Sequence, residues 1–412
     1  MLKKTLLKII KNPFTRTAKH LLVSLRNKVF RVVCDILPVK NDTILFESYM
    51  ASSYACSPRA IYEYILNEPK YNNFRFVWVF REPNKYAFLT DNGRTSLVKY
   101  RSFKYYASLA RSKYWIVNGW IPTLIRKKPS QIMVQTWHGT PLKRLRNDLI
   151  PETKHATLSY EQQVKSNKID ASRYDYFVSP SRFASQAFRS AFALEELGKK
   201  DIIIETGYPR NDFLFTYKSQ DVDSVKQKLN IPGDKKIILY APTWRDDQHD
   251  KKDGFIYNLE IDFNYLKRKL GDEYVILFRA HYNIAKEFDF KSHEGFVYDV
   301  SGVDEVNELY IISDLLITDY SSVFFDYANL KRPMIFYMYD LEHYEKQLRG
   351  FYFDVRELPG PIVKTNEELA EAIVNVEKIK KDYAKSYKVF NKKYNYLDDA
   401  HASQRVVERV IG

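Results

Sequence analysis

Two histidines stand directly after apolar stretches that predict buried strands. His138 follows QIMVQTW (131–137), and His281 follows EYVILFRA (273–280), in different halves of the chain. An imidazole can take a proton from an attacking hydroxyl, and its cationic form can stabilise the charge of a phosphate. A single buried histidine is more often structural, but two at strand ends in different halves favour a cleft between two domains.

A second candidate site is the segment Asp319-Tyr320-Ser321-Ser322, which follows DLLIT and leads into the predicted helix VFFDYANL. Hydroxyls and backbone N–H groups at a helix start suit an anion, although serine is also an ordinary helix cap. The anion interpretation gains weight because arginines at neighbouring strand ends could clamp a phosphate. These arginines are Arg210, Arg245 and Arg279. The chain has no P-loop and no G-x-G-x-x-G, so helix N-termini and arginines would have to hold a nucleotide.

Other kinds of chemistry find little support. The loop Arg245–Asp250 is read as a solvated surface loop, and no ligand set specific for a metal is present, so we expect neither a metal nor a cofactor. Cys34 and Cys56 have no metal-like spacing; they fit a reducing compartment and exclude a disulfide framework. There is no G-x-S-x-G elbow, which disfavours acyl transfer.

The elements that must position these residues alternate between apolar strands and helical patterns, which predicts α/β architecture with parallel sheets covered on both faces. Ligands of such sheets bind outside the carboxyl ends of the strands, where the candidate residues stand. Helices are predicted at 58–67 and 180–192. The predicted strands are 43–49, 74–80, 114–119, 131–137, 174–179, 201–207, 236–242, 273–280, 295–300, 314–320 and 333–337.

The basic charge is concentrated at the N-terminus. Residues 1–34 hold nine Lys or Arg and no acid, which leaves 56 basic against 51 acidic residues in the remainder. A nucleic-acid partner would need a basic face on the folded body and is therefore not expected. Apolar residues recur at helical spacing from Leu21 to Ile36, while no run is long enough to span a bilayer. This pattern favours an amphipathic helix on an anionic membrane surface over a helix that simply packs on the first domain.

Three regions are predicted from these patterns. Residues 1–38 form the basic amphipathic segment, and the polar, turn-rich stretch 208–234 contains a domain junction. Residues 39–215 then form an N-terminal Rossmann-like domain and residues 216–412 a C-terminal one. A last helix at roughly 366–412 is expected to pack back on the first domain.

Several motifs, taken together and in order, resemble one known family. They are TWHGTPLKRL, TGYPRNDFL, LYAPTWRDD, FRAHY, ITDYSSVFFDYANLKRPMIFY and LRGFYFD. The chain resembles the CDP-glycerol glycerophosphotransferase family of Gram-positive teichoic-acid synthesis, in particular its short, linkage-unit members. The resemblance implies a GT-B-like fold, in which two Rossmann-like domains face each other across a cleft and the C-terminal domain holds the donor.

The resemblance also implies a reaction and roles for individual residues. A hydroxyl of an undecaprenyl-diphosphate-linked acceptor would attack the β-phosphate of CDP-glycerol and release CMP. His138 would be the general base, and His281 would hold the donor pyrophosphate with Ser321 and Ser322. Further substrate-binding candidates are Gly139, Thr140, Arg210, Thr243, Trp244, Arg245, Arg279 and Asp319.

The partners and the location follow from this reaction, and alternatives stay open. We expect a CDP-polyol donor, a polyprenyl-linked acceptor and an anionic membrane at the cytoplasmic face, with a homo-oligomer left open. A CDP-ribitol ribitolphosphotransferase would share every quoted motif, and a GT-B nucleotide-sugar glycosyltransferase is a more distant alternative. The first-strand motif, ESYMASSYACSP, departs from the family pattern at Ala51 and Ser57, in the acceptor-side domain.

Overall fold

A computed structural model describes residues 13–149, 159–243, 249–250, 254–255, 259–280, 288–348 and 350–412. Most of its strands form two sheets. The first sheet has seven strands, and the second has six. The strands of the first sheet are β1 (Lys40–Glu47), β2 (Arg75–Phe80), β3 (Thr95–Lys99), β4 (Ser112–Val117), β5 (Ile132–Gln135), β6 (Tyr176–Ser179) and β7 (Ile203–Glu205).

The second sheet follows along the chain, together with a small antiparallel pair. The pair consists of β9 (His249–Asp250) and β10 (Gly254–Phe255). The strands of the second sheet are β8 (Lys236–Ala241), β11 (Tyr274–Phe278), β12 (Val297–Asp299), β13 (Leu315–Thr318), β14 (Met334–Tyr337) and β15 (Ile362–Val363). The strand order is β3-β2-β1-β4-β5-β6-β7 in the first sheet and β12-β11-β8-β13-β14-β15 in the second. The α/β fold with two parallel sheets is therefore confirmed, and all eleven predicted strands are present.

Both faces of the second sheet are buried, as its apolar strands predict. In β8, Ile237 and Leu239 belong to one hydrophobic cluster, whereas Ile238 and Tyr240 belong to another. Because successive side chains of a strand point to opposite faces, the two clusters are the two sides of the sheet. Each side is covered by helices, so the polar loops at the strand ends are where a ligand can enter.

The helices alternate with the strands. The predicted helices at 58–67 and 180–192 are observed within two residues of their expected ends. The α-helices are α1 (Pro13–Ile36), α2 (Cys56–Asn67), α3 (Phe103–Arg111), α4 (Tyr160–Ala171), α5 (Arg182–Ala191), α6 (Phe213–Thr216), α7 (Ser219–Lys228), α8 (Phe263–Leu270), α9 (Val306–Ile312), α10 (Val323–Tyr327), α11 (Leu341–His343), α12 (Asn366–Val374), α13 (Val376–Asp382), α14 (Ala384–Tyr394) and α15 (Ala402–Val410).

The chain divides into two compact units. Unit 1 comprises residues 1–53 and 69–134, and unit 2 comprises residues 54–68 and 135–412. This division does not coincide with the junction predicted after residue 215, which stays a prediction.

Helix α2 lies in unit 2, although the residues on either side of it belong to unit 1. The backbone N–H of Cys56 donates to Glu305 Oε2 at 2.6 Å, and Arg59 forms an ion pair with Glu308 at 3.3 Å. Burial raises the pKa of Glu305, and the nearby Arg59 and the Cys56 N–H limit this rise. These polar contacts anchor α2 to the start of α9.

The C-terminal region contains α12 to α15 instead of the single helix predicted over 366–412. The last helix, α15, packs against α2 and the turn Pro209–Asp212. Asp212 accepts the backbone N–H groups of Ala402 and Ser403 at 2.9 and 2.8 Å. A side chain distant in sequence therefore caps the helix, which no local pattern could have indicated.

The N-terminal segment contains helix α1, and the first twelve residues of the segment lie outside the described part of the chain. Its association with a membrane stays a prediction. The Phe30 ring packs against Phe103 and Tyr106 of unit 1, and Cys34 is buried. The helix also carries an exposed apolar stripe, in which each side chain is more than half exposed: Leu25, Val29, Val32 and Ile36. No helix among the described residues is long and apolar enough to cross a membrane.

Glu47 is a buried carboxyl group at the end of β1, with only 2% of its surface exposed. Burial raises the pKa of Glu47 to about 8, and the neighbouring Tyr105, Arg81 and Arg101 limit this rise. The folded protein therefore keeps a proton on this group at pH values where the unfolded chain has lost it.

We expect the stability of the protein to fall as the pH rises from about 5 towards 8, by at most ~1.4 kcal/mol per pH unit from this group. Glu47→Gln removes the titrating group and should flatten this part of the curve. Urea unfolding between pH 5 and 8 measures the effect, with the exposed Glu82→Gln as the control. Parallel curves for Glu47→Gln and the wild type would show that Glu47 does not hold the proton.

Candidate active site

The turn after β5 is held by a buried amide side chain. Gln135 accepts the backbone N–H of Trp137 at 2.9 Å through its Oε1 atom, and its Nε2 atom donates to the Tyr174 hydroxyl at 3.3 Å. Trp137 has φ +51°, a left-handed backbone conformation that residues other than glycine rarely adopt. The turn is therefore at Trp137, and the contacts of Gln135 stabilise it.

His138 lies on the ring of Trp137. The two ring centroids are 4.2 Å apart with an interplanar angle of 28°, and the imidazole is half-buried. Trp137 is itself fixed, because Phe192 packs edge-on against it at 5.0 Å and the Arg146 guanidinium lies 5.4 Å from its ring centroid. The imidazole is thus presented on a rigid aromatic platform.

Gly139 brings this turn against the segment that follows β13. A Cβ atom at position 139 would overlap Ser322 Oγ and lie 3.0 Å from Ser322 Cβ. A residue with a side chain could occupy position 139 only if the Ser322 side chain or one of the two segments moved. The glycine is therefore required for a close approach of two chain segments and does not supply the left-handed turn.

Asp319 joins the ends of β8 and β13. Its Oδ1 atom accepts the backbone N–H of Thr243 at 2.7 Å and that of Tyr320 at 2.5 Å, and its side chain is buried. Thr318 donates its hydroxyl to the Ala241 carbonyl at 2.7 Å, one residue earlier. The carboxylate of Asp319 thus orients two loops. The direct substrate contact expected for it stays a prediction.

Ser321 and Ser322 lead into a shorter helix than the sequence indicates. Helix α10 has five residues and continues as a 3₁₀ turn over Ala328–Leu330. Ser322 is already in a right-handed helical conformation and makes no side-chain cap, while Ser321 Oγ accepts the Val323 N–H at 3.5 Å. The contribution of a helix dipole is therefore smaller than predicted, and the hydroxyls and backbone amides carry more of the polarity.

Arg279 follows β11 at the same edge of the sheet. Its Nη1 atom donates to the carbonyls of Val300 and Val303 at 3.3 and 2.7 Å. The loop after β12 therefore fixes the guanidinium, and the side chain is half-buried.

The basic run after His138 is paired with the LRGFYFD motif. The N–H of Tyr352 donates to the Leu142 carbonyl at 2.9 Å, and the N–H of Arg144 donates to the Gly350 carbonyl at 3.2 Å. Between them, Lys143 and Phe351 form an antiparallel bridge. The motif thus holds the segment that carries Lys143 beside the site.

These segments enclose a cavity of about 420 Å³ within unit 2. Its size is in the range of small-molecule sites. The cavity brings together seven of the predicted residues: His138, Gly139, Thr140, Thr243, Arg279, Ser321 and Ser322.

The remaining predicted residues lie elsewhere or outside the described part of the chain. Arg210 is buried and forms a two-pronged ion pair with Asp326, at 3.0 and 2.7 Å, so its guanidinium is held inside the protein. Asp319 is not among the lining residues of the cavity, but it accepts the backbone N–H of Thr243, which is. The residues outside the described part are His281, Trp244 and Arg245.

Sequence reasoning missed three contributors to the site. The sequence pattern assigns Gln135 only to the interior of a strand and Trp137 only to its end. Tyr320 lines the cavity and stacks on Tyr344, with ring centroids 3.8 Å apart. Of the three residues, only Gln135 had a signal in the sequence: a polar residue inside an otherwise apolar strand indicates a side chain that bonds to a neighbouring loop.

Comparison with known families agrees with this arrangement. The family described as CDP-glycerol:poly(glycerophosphate) glycerophosphotransferase matches residues 29–412. The chain belongs to this family. The match includes every segment that lines the cavity.

Individual relatives have related names. The chain is 42% identical over 413 residues to the teichoic acid poly(glycerol phosphate) polymerase of Bacillus subtilis, with 99% of this chain covered. It spans only about half of that relative, 54% of its length. It is also 38% identical to the teichoic acid glycerol-phosphate transferase of Staphylococcus aureus, with 98% of this chain and 100% of the relative covered.

Solved structures and a more distant relative complete the comparison. A histidine-to-asparagine variant of the wall teichoic acid polymerase TagF, soaked with CDPG, matches with a TM-score of 0.84 and 38% identity, covering 96% of each chain. The teichoic acid poly(ribitol-phosphate) polymerase of Bacillus spizizenii is 28% identical, with 97% of this chain and 60% of that protein covered. The GT-B-like fold that the resemblance implied is therefore confirmed.

Gly139→Ala should destabilise the protein by about 1–3 kcal/mol, because the added methyl group meets Ser322. Removing the obstructing side chain with Ser322→Gly should relieve part of this loss. A double-mutant cycle measured by urea unfolding should therefore show coupling of ~0.5 kcal/mol or more between the two positions.

Gly233→Ala is the matched control, because a Cβ atom at position 233 meets nothing within 4 Å. It should leave stability nearly unchanged, with or without Ser322→Gly. Additive effects of Gly139→Ala and Ser322→Gly would contradict the close approach of the two segments.

Proposed function

We propose that this chain transfers glycerol phosphate from CDP-glycerol to a hydroxyl group of a polyprenyl-diphosphate-linked acceptor and releases CMP. The observation that carries the proposal is the contact of Gly139 with Ser322, which places His138 and the serine pair on one cavity. Such a cavity offers a proton acceptor and phosphate-binding groups within a single site.

His138 is the proposed general base. The acceptor hydroxyl oxygen attacks the phosphorus atom that carries the glycerol, and its proton passes to the imidazole. The bond from that phosphorus to the bridging oxygen breaks, and the bonding electron pair leaves with CMP. Stacking on Trp137 restricts the rotation of the imidazole, so little entropy is lost when the base is oriented for the reaction.

The groups opposite His138 suit the phosphates. The hydroxyls of Ser321 and Ser322 and the cationic Arg279 line the same cavity. Phosphoryl transfer needs in-line positioning and neutralisation of charge, which such groups supply. The proposal assigns the donor pyrophosphate to these residues, with Thr140 and Thr243 beside them. Holding the same pyrophosphate stays the proposed role of His281.

Glycerol is the preferred polyol of the proposed donor. The relatives that act on glycerol phosphate by name are 38–42% identical to this chain, whereas the ribitol-phosphate polymerase is 28% identical. The comparison with CDP-ribitol is therefore part of the test.

A membrane surface is the proposed location, at the cytoplasmic face. The stripe Leu25, Val29, Val32 and Ile36 leaves apolar side chains exposed on a helix that also carries Lys28 and Arg31. Apolar residues beside cations suit the interface of an anionic bilayer, where the lipid-linked acceptor would be found.

His138→Ala should lower CMP release from CDP-glycerol by about 10²- to 10⁴-fold, because a general base contributes about that much. The measurement is CMP production with the purified protein, a lipid-linked acceptor and either CDP-glycerol or CDP-ribitol. The exposed His401→Ala is the control and should retain full activity.

Full activity of His138→Ala would refute the role of the imidazole. CMP release from CDP-ribitol alone would reassign the donor, and release from neither donor would refute the proposed transfer. Unfolding curves of both variants show whether a loss of activity reflects a loss of structure.

Replacing Leu25, Val29, Val32 and Ile36 by serine should abolish co-sedimentation with anionic vesicles, because the apolar surface that enters the bilayer is lost. The control replaces two exposed apolar residues of unit 2, Ile169 and Phe215, by serine and should bind normally. Undiminished binding of a truncated protein lacking residues 1–38 would exclude this helix as the membrane anchor.

A further inference from the structure

A second cavity of about 570 Å³ lies in unit 2, at the amino end of β14. It shares no lining residue with the site described above, which lies at the carboxyl ends of β8, β11 and β13. The strands of this sheet are parallel, so the two cavities lie at opposite edges of it. A ligand in the second cavity would therefore be separate from the transfer reaction.

The walls of this cavity are largely apolar. Pro333 and Met334 come from the start of β14, and Pro359 comes from the loop before β15. Ile379 of α13 and Tyr383 also line it. Tyr387 lines it as well, and its hydroxyl donates to the Arg332 carbonyl at 2.8 Å.

Four lysines surround this apolar interior: Lys331, Lys380, Lys381 and Lys388. None of the four has an ion-pair partner within the described part of the chain, and the cavity lining there includes no carboxylate. Arg332 is a different case, because its guanidinium donates to the carbonyls of Tyr310, Ile311 and Ser313.

The surrounding helices strengthen the positive charge. Residues 376–394 contain seven lysines and only two acids, Glu377 and Asp382. Helices with such an excess attract anions. A solvated face would explain the charge alone, but it would not explain an apolar cavity of ligand size between the charged side chains.

We propose that this cavity binds a single anionic phospholipid, with its phosphate among the lysines and part of an acyl chain against Pro333, Ile379 and Tyr383. Apolar walls beside unpaired cations match an amphiphile that carries both features. A water-soluble polyanion such as a glycerol-phosphate polymer has no apolar surface for these walls. The lipid is therefore the occupant that the chemistry favours.

The test uses the full chain and dihexanoyl phosphatidylglycerol below its micelle concentration, so that no bilayer contributes to binding. Titration calorimetry should show saturable binding to the wild type. Dihexanoyl phosphatidylcholine, glycerol phosphate and inorganic phosphate should each bind at least tenfold more weakly. Equal binding of the lipid and of free phosphate would show that the apolar walls are not used.

Two charge variants separate the cavity from the general charge of the helices. The lining variant combines Lys380→Glu, Lys381→Glu and Lys388→Glu and should lose at least tenfold in affinity. The control combines Lys378→Glu, Lys385→Glu and Lys392→Glu on the same helices and should change less than twofold. Equal losses would overturn the site in favour of non-specific attraction.

Ala384→Trp fills the cavity without changing any charge. It should abolish lipid binding and leave CMP release from CDP-glycerol unchanged, which separates this proposal from the proposed transfer. Normal lipid binding by Ala384→Trp would refute the cavity as the site.

Lysine acetylation of the unaltered protein, followed by mass spectrometry, gives a readout that does not depend on any variant folding. The lipid should protect Lys380, Lys381 and Lys388 and leave Lys378, Lys385 and Lys392 reactive. Protection by a soluble polyphosphate but not by the lipid would identify a polyanion site and overturn the proposal.

Discussion

The approach of Gly139 to Ser322 is the constraint on which the candidate active site depends. Two loops from different strands meet so closely that a methyl group at position 139 would overlap the side chain of Ser322. The side chains on either side of the contact, His138 and Ser321, then share one cavity. The geometry of the site follows from the absence of a side chain at one position.

Buried polar side chains hold the loops that make this contact. Gln135 accepts the backbone N–H of Trp137, the residue before His138. Asp319 accepts the backbone N–H groups of Thr243, after β8, and of Tyr320, after β13. Burying a carboxylate or amide costs less free energy when it is hydrogen-bonded, so these groups favour the loop conformation that supplies their partners.

A second network of buried polar side chains lies outside the cavity lining and includes Asp326 of α10, the helix that follows Ser322. Asn211 donates to Asp326 and to Asp398, at 3.0 and 2.7 Å, next to the ion pair of Arg210. Burial raises the pKa of Asp398 to about 6, while its bonds to Tyr208 and Asn211 limit the rise. Such networks specify a unique arrangement more than they add stability. The arginine in a strand-end motif therefore belongs to the framework of the protein.

The sequence was informative where local patterns decide the structure. Alternating apolar strands and helices predicted the two parallel sheets, and strand ends predicted His138, Arg279 and Ser321 in one region. Prediction from the sequence failed where tertiary contacts decide the position of a side chain. Nothing local distinguishes Arg210, which pairs with Asp326, from Arg279, which lines the cavity. The weak strands β3 and β15 were also missed, since their pairing depends on neighbours that are already in place.

Residues 54–68 belong to unit 2, although the chain on either side of them belongs to unit 1. This arrangement affects the order in which parts of the protein can fold. Helix α2 is synthesised early, but its partners Glu305 and Glu308 are made about 250 residues later. At typical rates of synthesis, it waits on the order of ten seconds or more before it can dock. During that time its apolar face, including Ile61 and Ile65, lacks its final cover. A fragment that ends before residue 305 would lack both partners and would leave α2 without these contacts.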